Sequence, residues 1–186
     1  MRHFFYQHKK NTENIFDILK NIYTSGYGGF SKIFSSFYFV LAIVLAILMC
    51  DEWINSCEWI DNIKNIIPSI LGFSLAAYTL LSTFGENDFR KFISQKDKKS
   101  KSETLYMQAN AAFVHFIIVQ LLALFLALVG KTVLVIIPCI YGKILFSFFS
   151  TFIFAYALLL SLATIINIYR IARTYQLYNN TPKPKA

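Results

Sequence analysis

Residues 66–92 read IIPSILGFSLAAYTLLSTFGENDFRKF, a segment that begins apolar and ends charged. Its first 19 residues, 66–84, contain no charged side chain. An α-helix of this length is about 28 Å long, close to the ~30 Å hydrocarbon core of a bilayer. The segment therefore predicts a transmembrane helix that leaves the membrane at its charged end.

Small side chains recur every three or four residues along this helix and form one stripe on a single face. The stripe consists of Ser69, Gly72, Ala76, Thr79 and Thr83. Helices associate in lipid where small residues let their backbones approach closely. We expect the stripe to be a packing surface, either within the chain, which is the simpler alternative, or between copies in an oligomer or around a pore.

Three other apolar runs are long enough to span a bilayer, at 31–49, 111–129 and 144–168. Hydrophobic residues make up 56% of the chain and charged residues only 15%, against ~25% charged in soluble domains. We therefore predict an all-α polytopic membrane protein, a single membrane domain with four transmembrane helices. The remaining segments are 1–30, 50–65, 85–110, 130–143 and 169–186.

The basic residues are distributed unevenly among these segments. Of the 18 Lys and Arg residues, 15 lie before or at the start of the first run, in segment 85–110, or after the fourth run. Segments 50–65 and 130–143 hold only Lys64, Lys131 and Lys143. Because positive charge near membrane spans stays in the cytoplasm, we predict a multi-pass protein of the bacterial inner membrane with both termini inside.

The N-terminal segment contains a second kind of helix. Residues 12–24 alternate at helical spacing between an apolar and a polar face. This pattern predicts an amphipathic helix that lies on the inner membrane surface. The glycine-rich residues 26–29 then end the helix and let the chain turn into the membrane.

The three cysteines, Cys50, Cys57 and Cys139, all lie on the predicted outer side. One disulfide with one leftover thiol, or three unpaired thiols, are both compatible with this placement. Their spacing matches no zinc or iron–sulfur pattern. The sequence therefore predicts neither a metal site nor a cofactor.

Two polar side chains interrupt the third run, His115 and Gln120. Polar groups in lipid are costly, so they usually face other helices or water. Interfacial anchoring or an interhelical hydrogen bond is the simpler role for His115. A gating or pH-sensing histidine is the alternative.

A basic surface is predicted on the cytoplasmic side. It comprises Arg90, Lys91, Lys96, Lys98, Lys99, Lys101, Arg170 and Arg173. This is more positive charge than orientation in the membrane requires. We expect the surface to bind either a soluble partner protein or anionic lipid head groups.

The sequence lacks several common catalytic motifs. None of the four apolar runs contains Asp or Glu, and no P-loop, HExxH or GxSxG motif occurs. Arg2 and His8 match the loose R-x4–6-H spacing of some ribonucleases, but in a short terminal segment without a surrounding helical domain. We therefore predict that the protein is not an enzyme, with a membrane enzyme as a third alternative.

Residues 68–92, PSILGFSLAAYTLLSTFGENDFRKF, resemble a pattern of small four-span membrane proteins from bacterial antiviral (phage-defence) operons. These include the membrane subunits of Kiwa-type systems and membrane accessory proteins of CRISPR loci. The resemblance implies an oligomeric inner-membrane protein that senses or disrupts the membrane, by a pore or by depolarisation. It also implies a soluble cytoplasmic partner from the same operon.

A non-catalytic membrane anchor is the alternative function. Such an adaptor would recruit a soluble protein through the basic loop 85–110. Toxicity on overexpression with loss of membrane potential would favour the antiviral effector over the adaptor.

Overall fold

The computed structural model describes residues 16–26, 28–83, 87–95 and 104–180. Within these ranges the chain is all-helical and has no strand, which confirms the all-α part of the predicted fold class. Helix α1 comprises residues 16–21 and a π-helical turn, Ile22–Gly26. The other helices are α2 (Phe30–Phe34), α3 (Phe37–Leu48), α4 (Trp59–Thr83), α5 (Asn87–Ile93), α6 (Leu105–Ile136) and α7 (Ile140–Asn180). A second π-helical turn, Glu52–Ser56, precedes α4.

Three helices in the described ranges are long and apolar enough to cross a membrane: Trp59–Leu80 within α4, α6 and α7. These lengths and compositions are those of a membrane protein. The predicted first span, 31–49, is instead divided between α2 and α3, because Ser36 has an extended backbone with ψ 136°. Helix α3 alone has 12 residues, about 18 Å, which is shorter than the hydrocarbon core.

Helices also occupy much of the predicted outer segments. Helix α4 begins at Trp59 rather than at residue 66, and α6 continues to Ile136. Only residues 137–139 separate α6 from α7, so helices extend into most of the predicted outer hairpin 130–143. Helix α6 continues past Gly130, which lies at a close contact with α4.

Helix α7 is the centre of the bundle and packs against α3, α4 and α6. Every residue from 151 to 157 is buried, so no face of this part of the helix is left to lipid. The helix has 41 residues, about 62 Å, roughly twice the thickness of the hydrocarbon core. It is therefore longer than a single crossing requires.

Helix α3 contacts α7 through two buried alanines and through Phe39, whose ring lies 5.2 Å from that of Phe152. Ala42 and Ala46 are fully buried, whereas Val40, Ile43 and Ile47 are exposed. The alanines are four residues apart and therefore share one helix face, where their small side chains permit close backbone approach. Six of the 12 residues of α3 are exposed.

Large side chains of α4 pack into small side chains of α6. Trp59 and Ile60 are buried, and a Cβ atom at residue 130 would lie 2.9 Å from Trp59 Cη2 and 3.2 Å from Ile60 Cδ1. Only glycine fits there without displacing these side chains. At the same end, Lys131 Nζ lies 3.8 Å from Asp61 Oδ1.

A second, smaller cluster lies at the opposite end of the bundle. The buried side chains of this inner cluster are Phe89 and Ile93 of α5, Ala109 and Phe113 of α6, and Ile171 of α7. Tyr78 of α4 donates a hydrogen bond to Asn110 Oδ1 of α6 at 2.7 Å. Helix α5 is thus held against the ends of α6 and α7.

Candidate functional site

The small-residue stripe of α4 faces away from the rest of the chain. Ser69, Gly72, Ala76, Thr79 and Thr83 are all exposed. A Cβ atom at residue 72 would meet no atom within 4 Å. The prediction that the stripe packs within the chain is therefore wrong for the described residues.

The reason lies on the opposite face of α4. That face carries larger side chains, Trp59, Ile60, Ile63 and Ile67, and all four are buried. Large side chains bury more apolar surface and make more close contacts than small ones. Helix α6 supplies the complementary small residues itself, including Gly130. The bundle therefore uses the large-residue face of α4 and leaves the small-residue face outside.

The two threonine hydroxyl groups of the stripe already have partners in their own helix. Thr79 Oγ1 donates to the carbonyl oxygen of Leu75 at 2.9 Å, and Thr83 Oγ1 donates to that of Thr79 at 3.0 Å. These two hydroxyl groups are therefore not unpaired donors on the outward face. Phe73, which is 78% exposed, and Leu80 lie beside the stripe on one side.

His115 connects three helices inside the bundle. It is buried, its Nδ1 lies 3.3 Å from Tyr23 Oη of α1, and its Nε2 lies 3.1 Å from Tyr156 Oη of α7. A neutral imidazole offers one N–H and one lone pair, so one tyrosine accepts and the other donates. Burial raises the pKa of the Tyr23 hydroxyl, which favours its protonated form. This geometry is the interhelical hydrogen bond considered for His115.

Gln120 differs from His115 in that its polar atoms are unpaired. The residue is fully buried, and neither Oε1 nor Nε2 has a hydrogen-bond partner among the described residues. Thr151 Oγ1 of α7 is likewise buried without a partner there. Because α6 and α7 are antiparallel and His115 meets Tyr156, Gln120 and Thr151 lie at the same depth. Two unpaired polar groups at one level of an apolar core are destabilising.

Part of the predicted basic surface forms a groove between α5 and α6. Arg90, Lys91, Ser94 and Tyr106 line this basic groove, whose volume is about 460 Å³. Lys91 Nζ also lies 3.8 Å from Asp88 Oδ1, and both side chains are largely exposed. Such an exposed pair contributes little stability and leaves Lys91 available to ligands.

The other predicted basic residues are placed differently. Arg170 and Arg173 are exposed on α7, next to the buried Ile171 of the inner cluster, but they do not line the groove. Lys96, Lys98, Lys99 and Lys101 lie outside the described residues, as do Arg2 and His8. The described cysteines Cys50, Cys57 and Cys139 are free thiols.

Tyr23 and Tyr156 were not predicted as partners of His115. Nothing local marks them, because they are 92 and 41 residues away from it in the chain. Ala42 and Ala46 were not predicted as packing residues either. Their four-residue spacing is the same signal that identified the stripe of α4.

Searches of protein-family models, of curated proteins and of solved structures find no match to this chain. Function is therefore inferred from the outward face of α4, the buried polar residues and the basic groove.

Proposed function

We propose that this chain is an oligomeric component of the bacterial inner membrane in an antiviral defence system, and that its assembly senses or disrupts the membrane. One observation carries the proposal. The small-residue stripe, which permits close helix approach, is exposed and is not covered by the part of the chain that the structure describes. The antiviral role is supported by the sequence resemblance of residues 68–92.

The dimensions of the stripe suit a helix–helix interface. From Ser69 to Thr83 it extends about 21 Å along α4, most of the hydrocarbon thickness. Its threonine hydroxyls are bonded within the helix, so assembly leaves neither of them unpaired. Two copies of α4 placed stripe to stripe would form a self-complementary contact of the kind that closes a symmetric dimer.

Disruption of the membrane would require assembly. The interior of the single chain is filled by packed side chains such as Ala123, Ala127 and Phe152. A path for ions through one copy would have to displace this core. A path between copies, next to the outward face of α4, would not.

The placement of α1 supports four crossings and a cytoplasmic N-terminus. Tyr23 contacts His115 near one end of α6, whereas Trp59, at the start of α4, contacts Gly130 near the other end. Fifteen positions along α6 correspond to about 22 Å. The chain between these contacts, α2 and α3, therefore runs from one end of the bundle to the other.

Cysteine labelling tests the fourth crossing. In a variant with its three natural cysteines replaced by serine, a cysteine at Thr24 should resist an impermeant thiol reagent in intact cells. A cysteine at Asn55, on the proposed outer side, should react. Labelling at Thr24 without permeabilisation would instead place the N-terminus outside and leave three crossings.

The assembly is tested by adding bulk to the outward face. Gly72→Leu and Ala76→Leu should reduce the molecular mass of the assembly in lipid nanodiscs and abolish depolarisation on overexpression. Thr132→Leu, an equally exposed position on α6, is the matched control and should change neither. If the Gly72→Leu and Ala76→Leu variants keep the wild-type mass, this face does not build an oligomer.

The adaptor function is the second candidate, and the basic groove favours it. Arg90 and Lys91 lie on the proposed cytoplasmic side, where a soluble partner has access. An adaptor would retain partner capture in the Gly72→Leu variant. An oligomeric effector would lose its effect on membrane potential in the same variant.

A further inference from the structure

The basic groove between α5 and α6 has the chemistry of a phosphate site. Arg90 and Lys91 supply cationic N–H donors, and Ser94 and Tyr106 supply hydroxyl groups. Ser94 directly follows α5, and its backbone N–H donates a hydrogen bond to the carbonyl oxygen of Arg90 at 3.0 Å, so the two residues lie one helical turn apart on the same side. Charge-assisted hydrogen bonds from Arg and Lys to phosphate are about twice as strong as neutral ones.

The beginning of α6 adds a favourable electrostatic field. Tyr106 is in the first turn of this helix, after the N-cap Thr104, whose side chain accepts a hydrogen bond from the backbone N–H of Met107 at 3.2 Å. The first turn of a helix carries a partial positive charge that stabilises anions. The groove therefore combines side-chain cations with a helix terminus.

The position of the groove indicates which kind of phosphate-containing molecule can reach it. Helix α5 follows the end of the spanning part of α4, and α6 begins a span directly beside it. Phe92, on the same short helix as Arg90, is about half exposed, and Phe89 is buried against Tyr175. Aromatic and basic residues at the end of membrane helices are typical of the lipid head-group level.

We propose that the basic groove binds the phosphodiester group of an anionic phospholipid in the inner leaflet. Arg90 and Lys91 contact the phosphate oxygens, Ser94 and Tyr106 donate further hydrogen bonds, and the acyl chains extend along α4 and α6. The lipid holds α5 at the membrane surface. This site does not depend on the proposed oligomer, because all four groove residues come from one chain.

Native mass spectrometry of the full-length, delipidated protein tests the site. Phosphatidylglycerol should bind at least about tenfold more tightly than phosphatidylcholine, as a charge-assisted contact predicts. The double substitution Arg90→Gln and Lys91→Gln should remove about tenfold of this affinity. Tyr106→Phe, which removes one hydroxyl, should remove a few-fold and serves where the double variant fails to fold.

The matched control removes the same charge at the other end of the bundle. The double substitution Lys64→Gln and Lys143→Gln should leave phosphatidylglycerol affinity within twofold. Equal loss in this control would show non-specific attraction and overturn the proposal. Equal binding of phosphatidylcholine would overturn it as well. Displacement of the lipid by equimolar inorganic phosphate would assign the groove to a soluble phosphate instead.

Discussion

Helices α4 and α7 are both apolar enough to cross a membrane, yet they occupy the structure in opposite ways. In the most apolar window of α7, 61% of the residues are buried within the chain, against 17% for α4. Helix α7 is surrounded by α3, α4 and α6. Helix α4 buries one face, and its other face is exposed in the part of the chain that the structure describes. Apolar sequence alone therefore does not decide whether a membrane helix is central or peripheral.

Because of this difference, substitutions in the two helices should affect different properties of the protein. A substitution in the buried part of α7, residues 151–157, acts on the fold of the chain, because side chains there have neighbours on every side. A substitution on the outer face of α4 acts on whatever lies outside the chain. Paired substitutions on the two kinds of surface therefore separate stability from assembly.

The largest effect is expected inside α7. Ala157 is fully buried, so Ala157→Phe must displace packed neighbours and should cost several kcal/mol, at or beyond the usual 1–3 kcal/mol range of overpacking. The folded fraction after detergent extraction, measured by size-exclusion chromatography, should fall steeply. Leu162→Phe, on an exposed face of the same helix, should behave as wild type. Equal recovery of both variants would contradict the central position of α7.

Two glycines provide the next test. Gly130→Ala places a methyl group 2.9 Å from Trp59 and should lower the thermal midpoint, because the resulting clash outweighs the gain of ~1 kcal/mol in helix propensity. Gly72→Ala meets no atom and should keep or raise the midpoint. Differential scanning fluorimetry in detergent measures both. A Gly130→Ala variant as stable as Gly72→Ala would show that α4 does not pack closely on α6.

The buried polar residues are expected to respond in opposite directions. Gln120→Leu removes two unpaired polar atoms and should stabilise the fold by about 1 kcal/mol. Thermal unfolding compared with that of the isosteric variant Gln120→Met measures the effect. A loss of stability in both variants would mean that the carboxamide has a partner in the folded protein.

Tyr156→Phe should give the smallest change, a destabilisation of about 0.6 kcal/mol, typical of one hydrogen bond between membrane helices. It removes the hydroxyl 3.1 Å from His115 Nε2 but keeps the ring. The same thermal measurement applies, with Tyr141→Phe, an exposed tyrosine at the start of α7, as the control. Equal midpoints for wild type and Tyr156→Phe would show that this hydrogen bond does not stabilise the bundle.

The all-α class of the protein and the positions of most of its long helices could be predicted from the amino-acid sequence. The lengths of apolar runs and the absence of helix-breaking residues are local properties, so the long helix α7 and the end of α4 could be predicted. The division of the first run at Ser36 could not, because the break depends on how α2 and α3 reach the neighbouring helices. The groove lined by Arg90 and Tyr106 could not be predicted either, because the sequence indicated only a cluster of positive charge that includes Arg90.

Which helix faces pack against each other could be read only from the tertiary structure. Small residues at helical spacing occur on α3, α4 and α6. The spacing indicates that another helix can approach each of these faces closely, but it does not indicate which helix does so. The chain uses Ala42, Ala46 and Gly130 internally and turns Gly72 outward, because the large side chains opposite Gly72 bury more surface. The pairing of His115 with Tyr23 and Tyr156 follows from the same packing, since it joins residues far apart in the chain.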